Sequence, residues 1–237
     1  MNYFDTAIME FCNRFSQRSE TFDTAIVLLS KTEILKAGVV VTILWALWFR
    51  RDKVEAVAET RRTVLVTVAG TFVACLLGRL LARALPFRLR PLHQPALIFR
   101  IPTGISKGAL DQWSSFPSDH AVLMAGLVTG IFLISRRLGF FSIFYAFLFI
   151  FFPRIYVGLH YPTDILAGIL LGSVCVVSAN GLMTRKTITE PLLEWSEKYP
   201  SLFYAGFFLV TYQTTQLFND VRAWASFLLG VLKRVVH

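Results

Sequence analysis

Charge is scarce in this sequence. Only 16% of its 237 residues are Asp, Glu, Lys or Arg, against 55% hydrophobic. A soluble domain carries about 25% charged residues. The mean hydropathy is +0.57. Acidic residues are the scarcer sign: 15 Asp and Glu stand against 24 Lys and Arg, for a net charge of +9. The basic excess forms no aromatic-interleaved groove, so the sequence does not read as a nucleic-acid binder. Most Lys and Arg stand at the ends of apolar runs, where such residues anchor helices and meet anionic lipid heads. Cysteine is almost absent. Cys12, Cys75 and Cys175 form no CxxC pair, and two lie in apolar runs, so they read as small buried hydrophobes. The first residues lack a basic stretch and a small-residue cleavage site, so no removable signal peptide is expected.

What is present is a series of apolar runs near the ~20 residues that carry a helix across a bilayer. The expected fold is all-α: one polytopic membrane bundle over residues 1–237, with about six transmembrane helices plus interfacial amphipathic helices. Phe4, Ile8, Phe11 and Phe15 predict a short amphipathic helix on the membrane surface over 2–15. Crossings are expected over 30–49, 63–85, 118–135, 138–156, 162–183 and 201–218. A last amphipathic segment is expected over 221–236. Glu33 and Lys36 fall in the first turns of the first crossing, where long side chains snorkel outward. Trp45 and Trp48 mark its other interface. Pro162 suits a helix start, and Gly168 with Gly172 gives a GxxxG face for close packing.

The basic segments 50–62, Arg136–Arg137 and Arg185–Lys186 mark one side of the membrane as cytoplasmic. The long loop 86–117, rich in proline, and the turn His160–Asp164 then share the outer face. Its length marks that loop as functional rather than a plain connector.

On that face gather Arg83 and Arg90, then Ser118, Asp119 and His120 at a helix start, then Arg154, His160 and Asp164. Singly, each has a plainer reading. Arg83 would snorkel at a helix end, and Arg79, four residues earlier on the same face, would do the same or pair inside the bundle. Ser118 and Asp119 would cap a helix. His160 would be a turn residue satisfied by Asp164. Together they suit a different chemistry. Three guanidiniums are donor forks for phosphate oxygens, and a helix N-terminus favours an anion. An Asp four residues from a His can fix its tautomer and leave the other nitrogen free to attack. A second histidine can protonate a leaving oxygen. Two His and an Asp also form a zinc-like set, but converging guanidiniums repel a cation and no HExxH occurs, so no metal and no cofactor is expected.

The three segments, Arg83-x6-Arg90-Pro91, Pro117-Ser118-Asp119-His120 and Arg154-x5-His160-x3-Asp164, resemble the three-part signature of the type-2 phosphatidic acid phosphatase family. These are membrane lipid phosphatases related to vanadium haloperoxidases. The match covers about a third of the chain, residues 83–164. Arg83 stands where the family has Lys, Asp119 where it has Gly, and Pro153 where it has Ser. The resemblance implies His160 as nucleophile, Asp164 as its orienting group and His120 as general acid. It implies Arg83, Arg90, Ser118, Asp119 and Arg154 around the phosphate. Asp119 beside an anion site is expected to repel phosphate unless it points away or meets an arginine. The wording of FPSDHA and HYPTDILAG resembles the bacterial branch acting on undecaprenyl diphosphate, which implies an inner-membrane protein with its site facing outward. The implied partners are a lipid phosphate or diphosphate and the surrounding lipid. Alternatives are a phosphatidate or phosphatidylglycerol-phosphate phosphatase, a lipid phosphotransferase and, in another class, an anionic-lipid flippase.

Overall fold

A computed structural model describes residues 2–32, 34–183 and 186–217. Glu33, Arg185, the side chain of Lys186, Phe218 and the segment 221–236 lie outside the described residues. Among those described, every regular element is helical. Two short helices, α1 (Tyr3–Asn13) and α2 (Glu20–Lys31), precede a π turn, Ile34–Gly38, that leads into α3 (Val39–Trp48). The long α4 (Val54–Ala84) follows, and the chain then runs as an irregular loop to α5 (Asp119–Ile134). Helix α6 (Arg136–Ala146), a π turn and α7 (Phe152–Tyr156) continue one another, and α8 (Pro162–Met183), α9 (Lys186–Lys198) and α10 (Pro200–Thr215) complete the chain.

Three of these stretches are long and apolar enough to cross a membrane: Val54–Ala84, Arg136–Tyr156 and Pro162–Gly181, with mean hydropathies of 2.1, 1.9 and 1.7. Ile34–Trp48 and Asp119–Ile134 are apolar but shorter. At 1.5 Å per residue the latter is about 24 Å long, against a hydrocarbon core of about 30 Å. The six expected crossings are therefore met by three helices of spanning length. The sixth falls on α10 and the first is broken at Thr32, between α2 and the π turn. The basic segment 50–62, expected as a loop, is mostly the first turns of α4.

The core is α4, α5 and α8, packed pairwise. Small residues set the spacing. A Cβ on Gly168 would lie 2.8 Å from the Ser118 carbonyl oxygen, and one on Gly172 would collide with the Val122 carbonyl. The expected GxxxG face thus seats α8 directly on the backbone of α5. Leu166, Leu170, Val174 and Val177 of α8 stay exposed on the other side, the pattern of a helix with one face to lipid. Trp48 does not mark an interface. It is fully buried, stacks on Phe203 and donates its indole N–H to Tyr204 Oη at 3.1 Å.

This packing decides where the polar residues meet. Arg79 near the end of α4 pairs with Asp119 at the start of α5 at 2.7 Å. The Ser118 N–H donates to the Asp164 carbonyl at 3.1 Å. The end of α4 and the starts of α5 and α8 therefore lie at one end of the bundle, with the loop over them.

Gly172→Ala is expected to lower stability by about 1–3 kcal/mol, because the backbone clash outweighs the better helix propensity of Ala. Gly181→Ala, where a Cβ meets nothing within 4 Å, should be neutral or slightly stabilising. Thermal unfolding in detergent compares the two; equal effects would mean that α8 does not seat on α5 at Gly172.

Candidate active site

His160 lies in the turn between α7 and α8 and is 4% exposed. Its Nδ1 is 2.8 Å from the Ser115 carbonyl oxygen. A carbonyl only accepts, so Nδ1 carries the proton and Nε2 is the unprotonated nitrogen. The sequence led us to expect Asp164 as that partner. Asp164 instead stands 3.8 Å from Nδ1, because its two oxygens are taken by Arg88 and by the Tyr161 N–H. The carboxylate acts on the imidazole through its charge and by fixing the turn. Burial holds the His160 pKa below the ordinary histidine value; Asp164 pulls it up and Arg90 pushes it down. The ring is neutral at pH 7.

Arg90 reaches His160 from the loop. Its Nη1 is 3.4 Å from Nε2 and donates to the Leu159 carbonyl at 2.7 Å. Burial lowers its pKa to about 10, against the pull of Asp119 and Asp164, so it remains charged. Arg154, also buried, points its Nη2 at His120 Nε2 from 2.6 Å. A guanidinium only donates, so His120 carries its proton on Nδ1.

These groups border two adjoining cavities of about 490 and 470 Å³. Arg79, Arg90, Trp113, Asp119 and His160 line both. Arg83 opens onto the first, His120 and Arg154 onto the second. Ser118 and Asp164 line neither; both are buried behind the wall. The Ser118 hydroxyl is nevertheless buried with no hydrogen-bond partner among the described residues, an expensive condition that a ligand oxygen would relieve. Asp119 meets an arginine, as its position demands: Arg79 neutralises it at 2.7 Å and also stacks over Trp113.

Sequence reasoning missed four contributors. Ser115 supplies the carbonyl that sets the tautomer. Arg88 bridges Asp164 and Asp5, reaching Asp5 at 2.7 Å. Thr163 gives its N–H and hydroxyl to Asp5 at 3.0 and 2.7 Å. Asp5 itself comes from α1, whose aromatic residues Phe4 and Phe11 are exposed while Asp5 and Met9 are buried. No motif marks these residues. The one available signal was an acidic residue interrupting the apolar stripe of a short helix.

Chemically, the site offers an anion cradle of guanidiniums, an uncharged buried imidazole with a free nitrogen, and a second imidazole beside it. Such a set is suited to holding an anion and to nucleophilic attack on it.

Comparisons with known proteins show the family. The family described as the PAP2 superfamily matches residues 60–188, more than half of the chain. The chain is 32% identical over 140 residues to a Bacillus licheniformis protein named bacitracin transport permease protein BcrC. That match covers 59% of this chain and 65% of the relative, so the chain spans just under two thirds of the relative's length. No solved structure matches the chain.

Asp5→Ala is expected to destabilise the fold by about 3 kcal/mol, because it strips Arg88 and Thr163 of their partner in a buried network. Asp5→Asn, which keeps an acceptor, should fall between. The melting temperature of the purified protein tests this, and an unchanged value for the Ala variant would mean that α1 is not docked on the His160 turn.

Proposed function

The chain belongs to the PAP2 superfamily, and we propose that it is a membrane lipid phosphatase that removes the terminal phosphate of a polyprenyl diphosphate through a phosphohistidine. The observation that carries this reading is the pair of contacts on His160: Nδ1 held by the Ser115 carbonyl, Nε2 beside Arg90. The unprotonated nitrogen thus faces Arg90, the group that would bind the phosphate and turn from Nε2 to do so.

The steps follow from the residues. Arg83, Arg90 and Arg154 hold the phosphate oxygens. His160 Nε2 attacks the terminal phosphorus as the bond to the bridging oxygen breaks. Substrate charge draws Arg154 away from His120 and favours an imidazolium there, which gives its proton to the departing lipid phosphate. Water then attacks the phosphohistidine. His120 takes the water proton, the P–N bond breaks, and inorganic phosphate leaves with both rings restored. Asp164 steadies the positive charge on His160 during the first step. This sequence asks for no metal, since the guanidiniums carry the charge stabilisation.

An amphiphilic substrate suits the surroundings. His120, Met124 and Val128 fall on one face of α5 at four-residue spacing. From Met124 onward that face borders an apolar cavity of about 410 Å³, lined also by Phe132, Ile143, Ile169 and Val177. An apolar tail fits there while the headgroup occupies the charged cavity. Six crossings of a bacterial inner membrane, with the site facing outward, belong to this reading.

A second reading, movement of an anionic lipid across the membrane, has in its favour the word permease in the name of the Bacillus licheniformis relative. It does not need a tautomerically fixed His160. Phosphate release from undecaprenyl diphosphate, phosphatidate and phosphatidylglycerol phosphate, measured with chelator present, separates the readings. We expect release from the diphosphate and a loss of at least about 10³-fold in kcat for His160→Ala. Release from no substrate, or activity that survives His160→Ala, would sink the hydrolase reading; turnover that needs a divalent cation would sink the metal-free mechanism.

The pH dependence follows from burial. Attack needs neutral His160, and its pKa lies below the ordinary value. Activity is therefore retained as pH falls to about 6.5 and lost only below it. The acid limb of kcat/KM against pH measures this; a limb at or above 6.5 contradicts a desolvated nucleophile.

A further inference from the structure

A cation from outside the three signature segments reaches the same site. Lys36 lies in the π turn Ile34–Gly38, at the start of an apolar helix. A lysine so placed is expected to run outward to the membrane surface. It is instead 6% exposed and lines the 470 Å³ cavity with His120, Arg154, Arg90 and His160. A π turn re-aims the side chains it carries and recurs at functional positions for that reason. Lys36 also precedes the residues matched to the family, 60–188.

The position of Lys36 is selective. Arg83 lines the first cavity but not the second; Lys36, His120 and Arg154 line the second but not the first. Arg90 and His160 stand between them. In the reaction above, the phosphorus under attack sits at His160 and the leaving oxygen faces His120. Whatever remains attached to that oxygen lies on the Lys36 side.

The charge balance says what that is. Among the described residues lining the second cavity, Lys31, Lys36, Arg79, Arg90 and Arg154 are cationic and Asp119 is the acid. Asp119 is already held by Arg79. A phosphate monoester brings about −1.5 to −2 charges, and a diphosphate roughly one more. Cations gathered out of water favour the more highly charged anion.

We propose that Lys36 is a specificity-determining residue that binds the second phosphate of a diphosphate, the one that departs with the lipid, on the His120 side of the cavity. This rests on the hydrolase reading for the naming of the leaving group, but the subsite can be read without turnover.

The test uses methylenediphosphonate, whose P–C–P link resists hydrolysis, and orthophosphate, each titrated calorimetrically into the purified full-length protein. The unsubstituted protein is expected to bind the diphosphonate at least tenfold more tightly. Lys36→Met should bring that ratio near one while leaving orthophosphate affinity within about twofold, which also reports a folded site. Lys36→Arg should keep most of the preference. No preference in the unsubstituted protein, or a preference that survives Lys36→Met, overturns the proposal, as does an equal loss of both ligands. An intact ratio in a protein that hydrolyses no lipid phosphate would bring down the hydrolase reading and leave the subsite standing.

Discussion

A carboxylate with no access to water must be answered by donors on every side, and Asp164 is such a carboxylate. It is 0% exposed at the start of α8. Arg88 comes from the loop, the Tyr161 N–H from the turn, and the Ser118 N–H reaches the Asp164 carbonyl from α5. Because each donor belongs to a different segment, satisfying one residue draws the loop, the turn and α5 together. Breaking such a network by removing a partner is far more damaging than never having built it. The site geometry follows from this. Once Ser118 and Arg88 are fixed, Ser115 three residues before the one and Arg90 two residues after the other are carried to the two nitrogens of His160.

The second constraint is an excess of like charge. Guanidiniums gathered in a cavity repel one another and lose hydration, so the empty arrangement is costly. The protein limits the cost locally. Asp119 pairs with Arg79, carbonyls of Leu159 and Ser114 accept from Arg90, and His120 accepts from Arg154. An arriving anion replaces these weaker partners. In the proposed reaction the donors would already be oriented where charge develops, which is how preorganised sites lower a barrier. Asp119 therefore does not weaken the cradle. It neutralises Arg79, leaving Arg83, Arg90 and Arg154 for an anion.

Much of this was legible in the sequence where the cause is local. Ser118 precedes α5, though its side chain makes no capping hydrogen bond, and Pro162 opens α8, because proline chemistry acts within one turn. The Gly168 and Gly172 face was readable for the same reason. The placement of Arg90, His120, Arg154 and His160 around one cavity followed from two hairpin ends sharing a face. What could not be read depends on distant partners. Asp5 meets Thr163 across 158 positions, and Arg88 meets Asp5 across 83. Trp48 and Lys36 carried signals that fit an interface equally well, since an aromatic or a lysine near a helix end looks the same whether it faces lipid or protein. Only the packing of α3 against α10 and of the π turn against the site separates those cases. The tautomer of His160 was assigned to Asp164 because spacing four along a helix suggests contact; a backbone carbonyl has no sequence signature.

The residues before the matched region are consequently part of the framework of the candidate site and not an accessory. Helix α1 exposes Phe4 and Phe11 and buries Asp5, so its aromatic face meets the surroundings while its acid holds Arg88. Asn13 and Ser16 both donate to the Arg100 carbonyl, Asn13 also accepts from the Arg100 N–H, and Asp23 takes the Thr103 N–H at 2.9 Å. These contacts clamp the middle of a loop that has almost no regular structure of its own. A loop of that length would otherwise sample many arrangements, and each would move Arg88 and Arg90. The order in the site is thus borrowed from α1 and α2. A truncation that spared every signature residue but removed these two helices would leave Asp164 with its arginine unanchored and His160 without a fixed acceptor.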